Sequence, residues 1–273
     1  IYTLSLHDAL PISKWFAQRV FTVSYDQRQL IHDKLGIPLD KIGVTYNGWE
    51  HMAKVQPDES IFEKMPAVKK GEYFYALGSL AGHKNFKWIR EVARRNPDKT
   101  FVVAGGKDLR AFGDDTEAKD THNVFYPGYV SDAENAALMK HCRLFLHPAV
   151  FEGFGIPPLE ALALGAPIAL AKASCLPELY GDTARYFDPY DYEVDLDALA
   201  ARPVSHEKRA ARRKKLGKNA WLASGVERHR LSAAGAGVQP AGRTYERPPA
   251  QRGIHFYGRL LHAGPQRYIH AGG

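Results

Sequence analysis

Between Tyr73 and Leu170 short, continuously apolar runs alternate with longer segments of helical period, and this limits what the chain can fold into more than any other feature. The runs are Tyr73–Leu77, Thr100–Ala104, Val124–Tyr126, Leu144–Leu146 and Ile168–Leu170, with helical stretches at Asn85–Arg95, Ser131–His141 and Pro157–Leu164. A strand with one wet face alternates apolar and polar side chains. Several of these runs do not, so both of their faces are buried, as in a parallel sheet covered by helices on either side. The expected fold class is therefore α/β, a Rossmann-like parallel sheet flanked by helices. Local punctuation agrees: Ser131 and Glu134 have capping-box spacing, and Pro157 with Pro158 suits the first turn of a helix.

Upstream lie an apolar run at Arg19–Ser24, a helical stretch at Asp26–Leu35 and a strand at Ile42–Tyr46 that ends in the turn pair Asn47-Gly48. Residues 52–71 carry Pro57, Pro66 and mixed charges without a period, which predicts a linker between domains. The domain that follows is expected to span 72–224, closed by a helix at Glu207–Leu222.

The two ends read differently. Thr3–Ile12, TLSLHDALPI, is one reading frame of a DNA string that resembles a common sequencing adapter, and residues 1–13 are set aside as an adapter-like scar. Beyond Ser224 the chain turns to Gly, Ala, Arg, Pro and His with no sustained period, so 225–273 is expected to be a frameshifted or a disordered tail. That tail has seven Arg, no Lys and two acids, and it accounts for +5 of the net charge of +7. The other 224 residues carry only +2, so the basic balance says little about the folded part, and no nucleic-acid partner is expected. No apolar run approaches the ~20 residues of a membrane-spanning helix. Cys142 and Cys175 lack ligand-like spacing, which suits reduced thiols in the cytoplasm.

Chemistry is densest in Phe151-Glu-Gly-Phe-Gly-Ile-Pro-Pro-Leu-Glu160. Gly153 and Gly155 let backbone amides approach a ligand, and the helix start behind them offers N–H groups and partial positive charge. Glu152 and Glu160 supply acceptors that can each take a pair of vicinal hydroxyls, as a hexose and a ribose present them. A second loop, Gly78-Ser-Leu-Ala-Gly-His-Lys84, follows the first strand of the domain. Its Gly78 and Gly82 are expected to expose N–H groups, and Lys84 gives a point charge suited to a diphosphate. A third segment, Pro127-Gly-Tyr-Val-Ser131, ends a strand. His147 precedes Pro148 at a strand end and is expected to be a packed residue. The adjacent acids Asp114 and Asp115 are expected to be solvated rather than a metal site.

Taken together these strings resemble the group 1 (family 4) retaining glycosyltransferases of the GT-B fold, over about Arg19–Asp188. The resemblance implies that Glu152 meets the transferred sugar, Glu160 the ribose hydroxyls, and the amides of Gly153, Phe154 and Gly155 the sugar. It assigns the diphosphate to Lys84, with Gly78 and Ser79, and places Leu159 in the donor site. Backbone around Tyr129 and Val130 would meet the nucleobase, with core packing of Tyr129 the rival reading. The family usually has an Arg where Ser79 stands, so one cation is lost. Residues 14–51 resemble the end of the family's N-terminal, acceptor-binding domain, and a complete domain of that kind takes at least ~100 residues. The chain is thus expected to be a donor-binding fragment that transfers little sugar.

What the family implies further is transfer of a hexose from a nucleoside-diphosphate sugar to a glycan or lipid-linked acceptor, without metal or other cofactor, in surface polysaccharide synthesis. Glu152 and Lys84 would be the catalytic pair, with a slight lean to mannosyl or glucosyl transfer. The site would be cytoplasmic, with the intact enzyme at the inner face of the membrane. Two other classes stay open: a nucleotide-sugar-binding module without chemistry, and an epimerase or oxidoreductase, although Gly78-Ser-Leu-Ala-Gly82 lacks the Gly-x-Gly-x-x-Gly turn the latter wants.

Overall fold

Ser24 starts the helix of the first ordered unit. Its hydroxyl accepts from the Gln27 amide at 3.2 Å, capping α1 (Tyr25–Leu35), which Gly36 ends in the left-handed region at φ 62°. This helix joins β1 (Val20–Thr22) to β2 (Ile42–Val44), and the two strands pair in parallel with Val20 opposite Ile42. In the computed structural model the described residues are 17–79, 81–105, 122–201 and 204–217. The expectations for 1–13, for Asp114 with Asp115 and for 225–273 lie outside them. All described residues belong to one compact body.

Residues 52–71, expected as a linker, contribute to the core. Ile61, Met65 and Val68 are buried in it, and Asp58 and Gly71 donate backbone hydrogen bonds to Ala133 and His141. Mixed charge and the absence of a period hid these three apolar positions, of which Ile61 lies in a 3-10 turn at Glu59–Phe62.

The main sheet follows. β3 (Tyr73–Leu77), α2 (Phe86–Arg95), β4 (Thr100–Ala104), β5 (Val124–Gly128), α3 (Asp132–His141), β6 (Leu144–His147), α4 (Ile156–Ala163), β7 (Ile168–Ala171), α5 (Leu176–Tyr180), β8 (Arg185–Phe187), α6 (Leu196–Ala201) and α7 (His206–Lys215) run in chain order. Every strand pair is parallel, in the spatial order β5-β4-β3-β6-β7-β8. The α/β class read from the apolar runs is the one observed, and β6 and β7 are buried along their whole length. Both bonds of the capping box are made, Glu134 N to Ser131 Oγ and Ser131 N to Glu134 Oε2. Three elements, α5, β8 and α6, were not expected. Each is six residues or fewer, too short for a period to register.

From β3 the chain winds outward to β5, then crosses back to β6 on the other side of β3 and winds outward again. The loops after β3 and β6 therefore leave neighbouring strands in opposite senses and open a crevice between them, where open α/β sheets bind ligands. Gly105 follows β4, on the other side of β3 from β6. At φ 110° it passes so near β3 that a Cβ would lie 2.2 Å from the Gly78 carbonyl oxygen.

Candidate functional site

Lys84 comes from the loop after β3, and Glu152 from the loop after β6. They meet: Nζ lies 2.5 Å from Glu152 Oε1, and both residues are buried, at 5% and 7% exposure. A lysine in a turn is ordinarily solvated, so this one is held for a reason. One backbone and one side-chain hydrogen bond hold the loops together, Val150 N to His83 O at 2.9 Å and Asn85 Nδ2 to Pro148 O at 3.3 Å. Asn85 adopts φ 55°, so the chain leaves the 3-10 turn at Gly82–Lys84 and enters α2 with its side chain on Pro148 and Pro189.

His147, the last residue of β6, is buried at 2% exposure and also reaches Glu152 Oε1, at 2.8 Å. It is packed, as expected, and it is also a member of the site. Sequence reading missed that second part, because a single histidine does not say what its ring nitrogen will face. The Glu152 carbonyl accepts from Gln27 Nε2, Ser174 Oγ and Cys175 Sγ at 3.3, 2.9 and 3.2 Å. Main chain and carboxylate are thus both held. Burial works to raise the Glu152 pKa, but His147 and Lys84 outweigh it and bring the pKa down to about 2.

Gly153 O accepts from Ser24 Oγ at 2.8 Å. Gly155, at φ 81°, starts α4, and a Cβ there would lie 2.9 Å from Leu176 Cδ2. The helix start is poorer in donors than expected. Pro157 and Pro158 have no N–H, which leaves the amides of Gly155 and Ile156 in that turn. Gly78 is a second correction: its N–H donates to Ala104 O at 3.1 Å as the sheet ladder runs one residue past β3, so it is not exposed for a ligand. Ser79 Oγ is buried and makes no hydrogen bond among the described residues.

The remaining expected residues divide. Phe154 and Leu159 point their side chains into the core, at 3% and 0% exposure, so a ligand could meet only their backbone. Val130 is buried, whereas Tyr129 is 77% exposed at the end of β5, which removes core packing as its role. Tyr129 stands two strands from β3, roughly 10 Å along the rim. Glu160, on α4, does not join the Lys84 cluster; its Oε1 lies 2.8 Å from His51 Nε2. That hydrogen bond raises the His51 pKa, and burial opposes it. His51 carried no signal in the sequence.

Across from these loops, Glu178 bridges α5 to the first unit. Its two oxygens accept from the amides of Tyr25 and Asp26, both at 2.9 Å, and Tyr46 Oη donates to it at 3.3 Å. Burial and Glu178 push the Tyr46 phenol up to about 12. Among the described residues no group of three His, Cys, Asp or Glu is arranged to hold a metal ion, and no helix is long and apolar enough to cross a membrane.

Residues 57–221 match the family described as "Glycosyl transferases group 1". The chain is 28% identical over 213 residues to O-antigen chain mannosyltransferase B of Escherichia coli, covering 72% of this chain and 52% of that one. It is also 28% identical over 180 residues to O-antigen chain mannosyltransferase RfbU of Salmonella typhimurium, covering 64% of this chain and 48% of that one. This chain spans about half the length of these curated relatives. Among solved structures it is similar to Anabaena HepE in complex with UDP and glucose, at TM-score 0.65 and 19% identity, covering 82% of this chain and 66% of that one. A glycosyltransferase from Rickettsia africae superposes at TM-score 0.66 and 15% identity, covering 83% and 67%.

Proposed function

We propose a function from one premise: this chain belongs to the group 1 glycosyl transferases. Its sheet is the Rossmann-like lobe of a GT-B enzyme. On our reading this lobe binds a nucleoside-diphosphate sugar, and the enzyme transfers the hexose to a glycan or lipid-linked hydroxyl with retention of anomeric configuration. The observation that carries the reading is the meeting of Lys84 and Glu152, 2.5 Å apart, in the crevice where the strand order reverses.

The chemistry follows from those two groups. An ammonium has three protons, and Glu152 uses one, so two remain for phosphate oxygens. The leaving diphosphate gains negative charge as the glycosidic bond breaks, and Lys84 with the amides of Gly155 and Ile156 offsets it without metal or cofactor. Glu152 accepts from sugar hydroxyls beside the backbone of Gly153 and Phe154, Glu160 takes the ribose, and the exposed Tyr129 ring flanks the base. The relatives' names incline the donor sugar to mannose and the product to a polysaccharide. A cytoplasmic site at the inner face of the membrane suits an acceptor carried on lipid.

Thermal-shift measurements with GDP-mannose, UDP-glucose and UDP-N-acetylglucosamine test this directly, with stabilisation by one of them expected. In calorimetry Lys84→Ala should weaken the matching nucleoside diphosphate by about ten-fold or more, the worth of a charge-assisted bond. Equal affinity of Lys84→Ala and parent would reject the diphosphate role, and an unchanged affinity in Glu160→Gln would reject the ribose role.

A further inference from the structure

The two side chains that reach the Glu152 carboxylate end on the same oxygen. Lys84 Nζ and His147 Nε2 lie 2.5 and 2.8 Å from Oε1, and Oε2 accepts no hydrogen bond among the described residues. The donors arrive from different strands, Lys84 from the loop after β3 and His147 from the end of β6. Neither is free to follow a turning carboxylate. Lys84 and His147 are 5% and 2% exposed, and the imidazole stacks on the Phe145 ring at 16° and 6.4 Å. Because a carboxylate oxygen can only accept, the His147 proton sits on Nε2. Two donors on one oxygen, with the main chain held behind it, fix the plane of the carboxylate and the direction of its second oxygen.

We propose that His147 is a positioning residue for Glu152: together with Lys84 it clamps Oε1, so that Oε2 is the acceptor presented to a hydroxyl of the transferred sugar. This deepens the function proposed above and rests on its assignment of Glu152 to the sugar. A histidine that only fills the core would be replaceable by another ring of similar size. One that orients Glu152 would not.

His147→Phe keeps a ring and removes the donor, His147→Gln keeps an N–H near the reach of Nε2, and His147→Asn is too short to bridge to Oε1. Calorimetry on the 273-residue chain uses UDP-glucose and GDP-mannose, each beside its free nucleoside diphosphate, with thermal melts to establish that each variant folds. His147→Phe and His147→Asn should bind the nucleotide sugar about ten-fold more weakly while the free diphosphate changes by less than about two-fold, and His147→Gln should recover most of the loss. An equal loss for sugar and free diphosphate, or a loss for neither, overturns the positioning role. If the parent binds none of the four probes, the donor reading fails and the clamp is judged separately, by a carbon-13 NMR titration of the Glu152 carboxyl assigned with Glu152→Gln. There His147→Phe should move the titration upward and His147→Gln should not. A titration that His147→Phe leaves unmoved refutes the clamp.

Discussion

Glu152 is ionised where burial alone would favour the neutral acid, and that has a consequence for stability. Its pKa falls from 4.5 to about 2 on folding, because His147 and Lys84 outweigh the desolvation that acts against them. A lowered folded value means that the unfolded chain binds the proton more readily. The stabilisation is therefore complete above pH 4.5 and is lost as the pH falls toward about 2. Urea unfolding followed down through this window should show a steeper loss of stability in the parent than in Glu152→Gln; parallel curves would mean the carboxylate is not held as described. Residue type and spacing were enough to single out Lys84, Glu152 and Glu160. His147 and His51 were not legible in these roles, since their partners, Glu152 and Glu160, are chosen by where loops return and not by any local pattern.

At the scale of elements, legibility followed the range of the interactions. The capping box of α3 could be read because both partners sit within four residues, and both bonds form. Ser131→Ala should destabilise the chain by about 1 kcal/mol in chemical denaturation while leaving donor affinity unchanged. A change in donor affinity would show that α3 bears on the site. Helix α7 needed the tertiary structure to make sense. Its arginines donate to carbonyls at the ends of other helices: Arg209 to Gly165 at 2.6 Å, Arg213 to Ala163 at 3.0 Å and Arg212 to Leu179 at 3.1 Å. These arginines act as C-terminal caps for α4 and α5. The start of α4 went the other way, because the prolines that mark a helix start also remove two of the N–H groups expected to face a ligand.

For the molecule as a whole, the first unit is held to the glycine loop by side chains far apart in sequence. Ser24 bonds Gly153, Gln27 bonds Glu152, and Glu178 caps the amides of Tyr25 and Asp26. Glu178→Ala should leave those amides unpaired and speed hydrogen exchange in α1 by about ten-fold or more, with β3 and β6 unaffected. Uniform exchange across both sheets would instead mean a global loss of stability. By itself the sequence determined the α/β class, the strands buried on both faces, and the glycine loop with its two carboxylates. All of these depend on period and on neighbours within ten residues or so, which local sterics and burial already constrain. Tertiary structure alone decided that β6 returns beside β3, that Lys84 is therefore buried against Glu152, and that His147 shares the same oxygen. The physical reason is that pairing between distant strands is set by the packing of the whole sheet, to which no short segment has access.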